Sequence, residues 1–272
     1  MLASAIIVFR ETLEAALLIG IVAAASRTIS GRARWIAGGI LAGAVGAGLV
    51  ALFAGRIALL FEGMGQELFN AAVLAMAIIL LGWHQIWMSA HSKELTADAH
   101  QIAKDVREGR RELSAVFVVI ALAVLREGAE SVLFLYGLLS GGDTSKGALL
   151  SGGIAGLLAG AALGMLLYAG MLRIPLRWFF SVVSVLILLL AAGMASKMTQ
   201  LLIQADFLPS LVNPLWDASS VLPRDSVLGI LMHALAGYEP RPAGMQVVLY
   251  ALTVAVILVG MWLVRRPAPV SN

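Results

Sequence analysis

The sequence predicts an all-α polytopic membrane protein with seven transmembrane helices, arranged as a 3+3 inverted repeat plus one further helix. Of the 272 residues, 60% are hydrophobic and only 13% are charged, about half the charge of an average soluble domain, and the mean hydropathy is +0.93. Apolar stretches of about 20 residues, the length that crosses a bilayer, recur along the chain. One charged motif, R-E-x-x-E, occurs twice within such stretches. We therefore predict a single transmembrane domain over residues 1–272.

The first three spans are predicted at about 2–26, 35–55 and 67–90. Span one is apolar except for its motif, Arg10, Glu11 and Glu14. Span two carries a small residue at every fourth position, and such stripes let helix backbones approach closely in lipid. Span three ends in the tryptophan-rich sequence GWHQIWM at 82–88. The charged segment 91–113 that follows predicts a helix lying at the membrane surface.

The next three spans are predicted at about 114–139, 147–172 and 178–203. Span four carries the second motif, Arg126, Glu127 and Glu130, and span five carries a stricter stripe of glycines at every fourth position. The order of motif helix, glycine helix and third helix therefore occurs twice, in repeats of about 1–90 and 114–203. Because each repeat has three spans, the second copy enters the membrane from the opposite side, as in many transporters.

The second long connection, 204–244, contains five prolines and the apolar piece VLGILMHAL. That piece is too short to cross a bilayer, so we predict an interfacial or re-entrant segment. The seventh span, at about 245–264, lies outside the repeat.

Lysine and arginine counts in the loops predict the orientation, because the side richer in them is cytoplasmic. One side has twelve: Arg27, Arg32, Arg34, Lys93, Lys104, Arg107, Arg110, Arg111, Arg173, Arg177, Arg265 and Arg266. The other side has four: Arg56, Lys146, Arg224 and Arg241. We therefore expect a multi-pass protein of the cytoplasmic (inner) membrane, with its N-terminus outside and its C-terminus in the cytoplasm.

The two charged motifs carry the strongest functional signal. On a helix the two glutamates of each motif share a face. Each charge near the bilayer centre costs roughly 2.5–3.5 kcal/mol, so six such charges must be compensated. Two arginines neutralise two of the four carboxylates and leave an excess of −2, which requires protons or a cation. The candidate metal ligands are Glu11, Glu14, Glu127 and Glu130, and the candidate charge-balancing residues are Arg10 and Arg126.

A buried salt-bridge cluster that pins the two helices together is the alternative, but the excess of carboxylates favours cation binding. The chain has no cysteine, which excludes thiolate ligands and disulfides. Clustered carboxylate oxygens suit hard cations such as Fe(III), Mn(II), Mg(II) or Ca(II).

Four further residues are weaker candidates for points where an ion enters or leaves. Glu62 and Glu67 lie at or before the start of span three, where a solvated loop and a favourable helix N-terminal charge explain them equally well. His84 and His91 are seven residues apart near the end of span three. Interfacial histidines beside tryptophans are the favoured explanation for this pair.

The sequence resembles the oxidase-coupled high-affinity iron permease family of bacteria and fungi. The resemblance rests on the paired R-E-x-x-E motifs, on GWHQIWM at 82–88, and on HALAGYEPRP at 233–242, which is similar to a G-Y-x-x-R-P ending. It covers essentially the whole chain. The resemblance implies uptake of iron across the cytoplasmic membrane, with Fe(III) presented by a separate partner ferroxidase or a periplasmic iron-delivery protein and bound by the motif glutamates. Iron is then a transported substrate, and no organic cofactor or nucleic acid is expected.

Other functions remain open from the residues alone. The same site would suit another cation, such as Mn(II) or Pb(II), or proton exchange. A non-transporting structural or sensory role is a further alternative. We do not expect an enzyme, because the sequence offers no Ser-His or Cys-His pair, no H-E-x-x-H motif and no aspartyl pair that would carry one.

Overall fold

The computed structural model describes residues 1–26, 29–60, 66–108, 110, 112–142, 144–170 and 176–264. These residues form eight α-helices and, within the described part of the chain, no strand. The helices are α1 (Leu2–Ala25), α2 (Arg32–Leu60), α3 (Gln66–Arg107), α4 (Ser114–Ser140), α5 (Lys146–Tyr168), α6 (Leu176–Gln204), α7 (Val227–Ala236) and α8 (Gly244–Val264).

Five helices are long and apolar enough to cross a membrane, which agrees with the predicted all-helical polytopic class. The crossing segments are Arg32–Ala54 in α2, Glu67–His91 in α3, Lys146–Tyr168 in α5, Ser181–Gln204 in α6 and Gly244–Val264 in α8. Helices α1 and α4, with 24 and 27 residues, are also long enough, but each carries the three charges of its motif. That α1 and α4 cross as well, giving seven spans, stays a prediction.

The region after span three differs from the prediction. The charged segment 91–113 is helical as far as Arg107, but it continues α3 without interruption instead of forming a separate helix. No glycine or proline occurs between His91 and Gly109, and alanine, glutamate, lysine and glutamine favour helix, so nothing in this sequence ends the helix earlier.

The motif helices pack against the glycine helices of the opposite half of the chain. A methyl group on Gly160 of α5 would lie 2.8 Å from the Phe9 carbonyl of α1. Likewise, a methyl on Gly43 of α2 would lie 2.6 Å from the Ala121 carbonyl of α4. In both pairs the contacts advance in the same direction along the two helices, so α1 runs parallel to α5 and α2 parallel to α4. The glycine stripes therefore bring backbones together between the halves, not within them.

Helices α3 and α6 pack against each other, α3 also packs against both motif helices, and α8 packs against α3 and α6. Leu74 and Leu81 of α3, Phe134 of α4 and Ile187 of α6 are fully buried in one apolar cluster together with Ile7 of α1. This core surrounds the positions at which the motif helices approach each other.

The connection between α6 and α8 is compact. Its ten-residue helix α7 is about 15 Å long, half the thickness of the bilayer core, which fits the predicted non-spanning segment. The helix ends at Gly237, whose φ is +65° and whose backbone lies against Gly193 of α6, where a side chain has no room. Arg241 then donates a 2.6 Å hydrogen bond to Asp217, and this contact together with bonds from Ser219 holds the pKa of Asp217 far below its usual range.

The G-Y-x-x-R-P sequence is therefore structural in this chain. Besides the roles of Gly237 and Arg241, the Tyr238 hydroxyl donates to the Leu222 carbonyl at 3.1 Å, which ties the end of α7 to the preceding loop.

Candidate metal site

The four motif glutamates lie together between α1 and α4. Each glutamate of the first motif is 116 positions from its counterpart in the second motif, in the other half of the chain. Glu11 and Glu127 are almost completely buried, with 1% and 2% of each residue exposed. Glu14 is buried as well, and the side chain of Glu130 is 23% exposed. One oxygen each of Glu11, Glu127 and Glu130 lie within 4.8 Å of one another, so the halves share one carboxylate cluster.

Each arginine pairs with the glutamates of its own motif. Arg10 contacts one oxygen of Glu11 and one of Glu14, both at 2.9 Å. Arg126 hydrogen-bonds one oxygen of Glu127 and lies 3.8 Å from Glu130. The arginines therefore orient the carboxylates within each motif. Among the described residues, no arginine–glutamate pair within 4 Å links the two helices, which argues against a cluster whose purpose is to pin α1 to α4.

The second oxygen of each glutamate is left over. The Oε2 atoms of Glu11, Glu14 and Glu127 are buried and have no hydrogen-bond partner among the described residues, whereas Glu130 Oε2, also buried, contacts His84 Nδ1. A buried carboxylate oxygen without a donor is costly, and three in one place are difficult to explain as structural features. Their chemistry suits the binding of a cation.

His84 of α3 completes the cluster, and its place differs from the prediction. The sequence favours an interfacial histidine beside tryptophans, whereas the structure buries His84 in contact with residues of both motifs. Its Nε2 lies 2.8 Å from an Arg10 nitrogen and 3.9 Å from Glu14 Oε2, and its Nδ1 contacts Glu130 Oε2. Glu11, Glu14 and His84 form a second group whose ligand atoms lie within 4.8 Å of one another.

A periodicity in the sequence could have shown that His84 faces the core, although not what it contacts there. The buried residues Leu74, Ala77 and Leu81 recur at helical spacing along α3, and His84 continues that stripe by three residues. A histidine on the buried stripe of a helix faces the core, whereas Trp83, one position earlier, is 70% exposed.

Other residues of the sequence GWHQIWM at 82–88 make contacts that hold α3 and Arg126 in place beside the carboxylate cluster. The Gln85 amide donates to the Ser184 carbonyl of α6 at 2.8 Å. The guanidinium of Arg126 lies over the Trp87 ring, 5.7 Å from its centre, a cation–π contact that holds this arginine beside its glutamates.

Of the other weak candidates, the two that the structure describes, Glu67 and His91, lie outside the cluster. His91 stacks on Trp87 with ring centres 5.0 Å apart, and its Nδ1 lies 3.0 Å from the Trp87 carbonyl. Glu67 is exposed in the first turn of α3. Glu62 lies outside the described residues.

A cavity of about 480 Å³ lies at the end of the bundle where α1 begins. It is lined by the start of α1, the end of α4, α6 and α7, so α1 and α4 run in opposite directions past the cluster. Ala3 and Leu138 line the cavity, and one helical turn further on lie Ile7 of α1 and Phe134 of α4, both fully buried. After one more turn, about 6 Å, come Glu11 and Glu130. A single apolar layer thus separates the cavity from the carboxylates.

Comparison with known proteins gives one consistent result. Residues 1–266 match the Iron permease FTR1 family. The chain is 32% identical to the ferrous iron permease EfeU of Escherichia coli O6:H1, over 98% of this chain and 97% of the relative. It is 31% identical to that of Shigella sonnei over the same shares, and 30% identical to that of Yersinia pestis over 96% of this chain and 93% of the relative. No solved structure is detectably similar to the chain.

Proposed function

Since the chain belongs to the iron permease FTR1 family and is an integral membrane protein of iron transport, we propose that it moves iron across the cytoplasmic membrane through the four-glutamate site. The observation that carries this proposal is the set of three buried Oε2 atoms without hydrogen-bond partners, those of Glu11, Glu14 and Glu127. They offer oxygen ligands from both halves of the chain to one ion.

The charge of the cluster supports a cation as the missing partner. Four carboxylates and two arginines leave a net charge of −2 with His84 neutral, in a region from which water is largely excluded. An ion that enters the cluster gains the attraction of this uncompensated charge. Each arginine already contacts one oxygen of each glutamate in its own motif. The attraction of the cluster for an ion is therefore moderate, and the ion can leave again.

Fe(III) and Fe(II) are both candidates for the form of iron that the protein transports. The resemblance to oxidase-coupled permeases implies Fe(III) from a separate ferroxidase or a periplasmic delivery protein. The net charge of −2 and the printed name of the relatives, ferrous iron permease, favour Fe(II), which would make the cluster neutral.

Iron uptake into proteoliposomes tests the proposal. We expect the purified chain to carry Fe(II), kept reduced, into vesicles that contain a fluorescent iron chelator. Fe(III) held soluble by a weak chelator is the parallel assay, and uptake of Fe(III) alone would select the ferroxidase-coupled alternative. Transport of Mn(II) or Pb(II) without iron would assign another cation, and no metal uptake under any condition would leave a structural or sensory role.

The packing suggests how the ion gains access to each side. Each motif helix is held against the glycine helix of the other half, so α1 with α5 and α2 with α4 form two units on either side of the cluster. This reciprocal arrangement supports an inverted repeat whose units rock around a central site. In the conformation described here, the layer of Ile7 and Phe134 closes the path from the cavity. We propose that this cavity faces the outside, as the loop charges predict.

Single cysteines test this orientation without background, because the native chain has none. We expect Leu138→Cys, in the cavity, to react with a membrane-impermeant thiol reagent added to intact spheroplasts, and the reaction to block iron uptake. Glu112→Cys, exposed at the opposite end of α4, is the matched control and should react only after the membrane is permeabilised. The reverse labelling pattern would place the cavity in the cytoplasm.

A further inference from the structure

The four glutamates alone do not explain how an iron site rejects other cations. Carboxylate oxygens are also the preferred ligands of Mg²⁺ and Ca²⁺, so a site made only of oxygens discriminates weakly against these hard cations. Imidazole nitrogen, in contrast, suits iron and other transition metals and is a poor ligand for Mg²⁺ and Ca²⁺. A nitrogen ligand among the oxygens would therefore supply the discrimination.

Among the described residues, His84 is the one histidine in the cluster, and its geometry is that of a metal ligand held by a carboxylate. Its Nδ1 lies against Glu130 Oε2, while its Nε2 faces Arg10 at 2.8 Å and Glu14 Oε2 at 3.9 Å. Metal-ligating histidines commonly point one nitrogen at the ion and the other at a carboxylate, which fixes the ring and raises its basicity. Glu130, on the motif helix α4, provides this carboxylate.

We propose that His84 is a direct nitrogen ligand of the transported ion and the residue that makes the site selective for iron over Mg²⁺ and Ca²⁺. This inference rests on the proposed function. The ion binds between Glu11, Glu14 and His84 Nε2; each of these residues has a ligand atom within 4.8 Å of the other two, and Nε2 lies 3.9 Å from Glu14 Oε2. On arrival it takes the Nε2 lone pair that Arg10 contacts now, and Arg10 keeps its pairs with Glu11 and Glu14.

The proposal makes the site asymmetric although the two motifs are identical. The group of Glu11, Glu127 and Glu130 offers only oxygen, and the group of Glu11, Glu14 and His84 offers oxygen and nitrogen, with Glu11 common to both. Helix α6, which occupies in the second half the place of α3 in the first, contains no histidine. The selective position therefore exists once per chain.

The test is a change of selectivity in His84→Gln, a neutral variant of similar length. We expect the iron concentration for half-maximal uptake to rise about 10–100-fold, the range seen when even an outer-shell partner of a metal is lost. We also expect excess Mg²⁺ or Ca²⁺ to inhibit the variant but to leave wild-type uptake unchanged. His91→Gln, on the same helix but outside the cluster, is the matched control and should behave as wild type in both respects.

X-ray absorption of the iron-loaded full chain separates a ligand from a residue that only positions others. Scattering from an imidazole ring should be present in the wild type and in His91→Gln and absent in His84→Gln. An oxygen-only iron environment in the wild type, or unchanged competition by Mg²⁺ and Ca²⁺ in His84→Gln, would overturn the inference while the four-glutamate permease stands. If the wild type neither bound nor transported iron, the proposed function itself would fail.

Discussion

Replacing Glu11 or Glu127 by glutamine is expected to abolish iron uptake while the protein remains folded in the membrane. Each substitution removes an anionic oxygen from the cluster and halves its net charge from −2 to −1. Loss of one partner from a buried charge pair costs about 2–5 kcal/mol, which corresponds to a loss of affinity of at least roughly 30-fold. Uptake of radioactive iron into proteoliposomes measures the effect.

Thermal unfolding distinguishes a ligand from a structural residue in the same variants. Without metal, the four carboxylates repel one another, so a glutamine at position 11 or 127 should leave the melting temperature unchanged or raise it. Iron should stabilise the wild type and should no longer stabilise the variants. Glu94→Gln, on the exposed part of α3, is the control and should keep both uptake and the iron-induced shift. Normal iron accumulation by Glu11→Gln or Glu127→Gln would remove these residues from the site.

Adding one methyl group to the glycine stripe of α2 is expected to destabilise the whole fold. In Gly43→Ala the new methyl would lie 2.6 Å from the Ala121 carbonyl and 2.7 Å from the Val124 side chain, so α2 and α4 must separate. Overpacking of this kind costs typically about 1–3 kcal/mol. Because α4 carries the second motif, the shift should also displace Glu127 from Glu11. The fraction of folded protein in detergent and its melting temperature are the measurements.

The matched control lies on the same helix. A methyl group on Gly48 meets nothing within 4 Å, so Gly48→Ala should be neutral or slightly stabilising, as expected from helix propensity. Gly160→Ala, against Phe9 and Thr12 of α1, should reproduce the defect of Gly43→Ala in the opposite half. Equal stability of Gly43→Ala and Gly48→Ala would show that the close approach of α2 and α4 is not required.

Local features explain why the helices were predictable from the sequence. Six of the described helices begin and end within a few residues of predicted spans, since a run of about 20 apolar residues is set by bilayer thickness and needs no tertiary information. The short helix α7 coincides with the apolar piece predicted not to span. The exception is the extension of α3 to Arg107, where the change from apolar to charged residues predicts an end of the helix that does not occur. Polarity changes the environment of a helix, but only glycine, proline or a cap stops it.

The sequence by itself determined the length and polarity of the helices and the identity of six charged residues whose burial requires compensation, because these follow from composition and from spacing along a single helix. Only the tertiary structure decided that each glycine stripe packs against the motif helix of the other half, and that His84 lies between the two motifs. Those contacts join residues from different helices, such as Arg10 and His84, 74 positions apart. Their distances depend on the direction and rotation of each helix in the bundle, which no local pattern specifies.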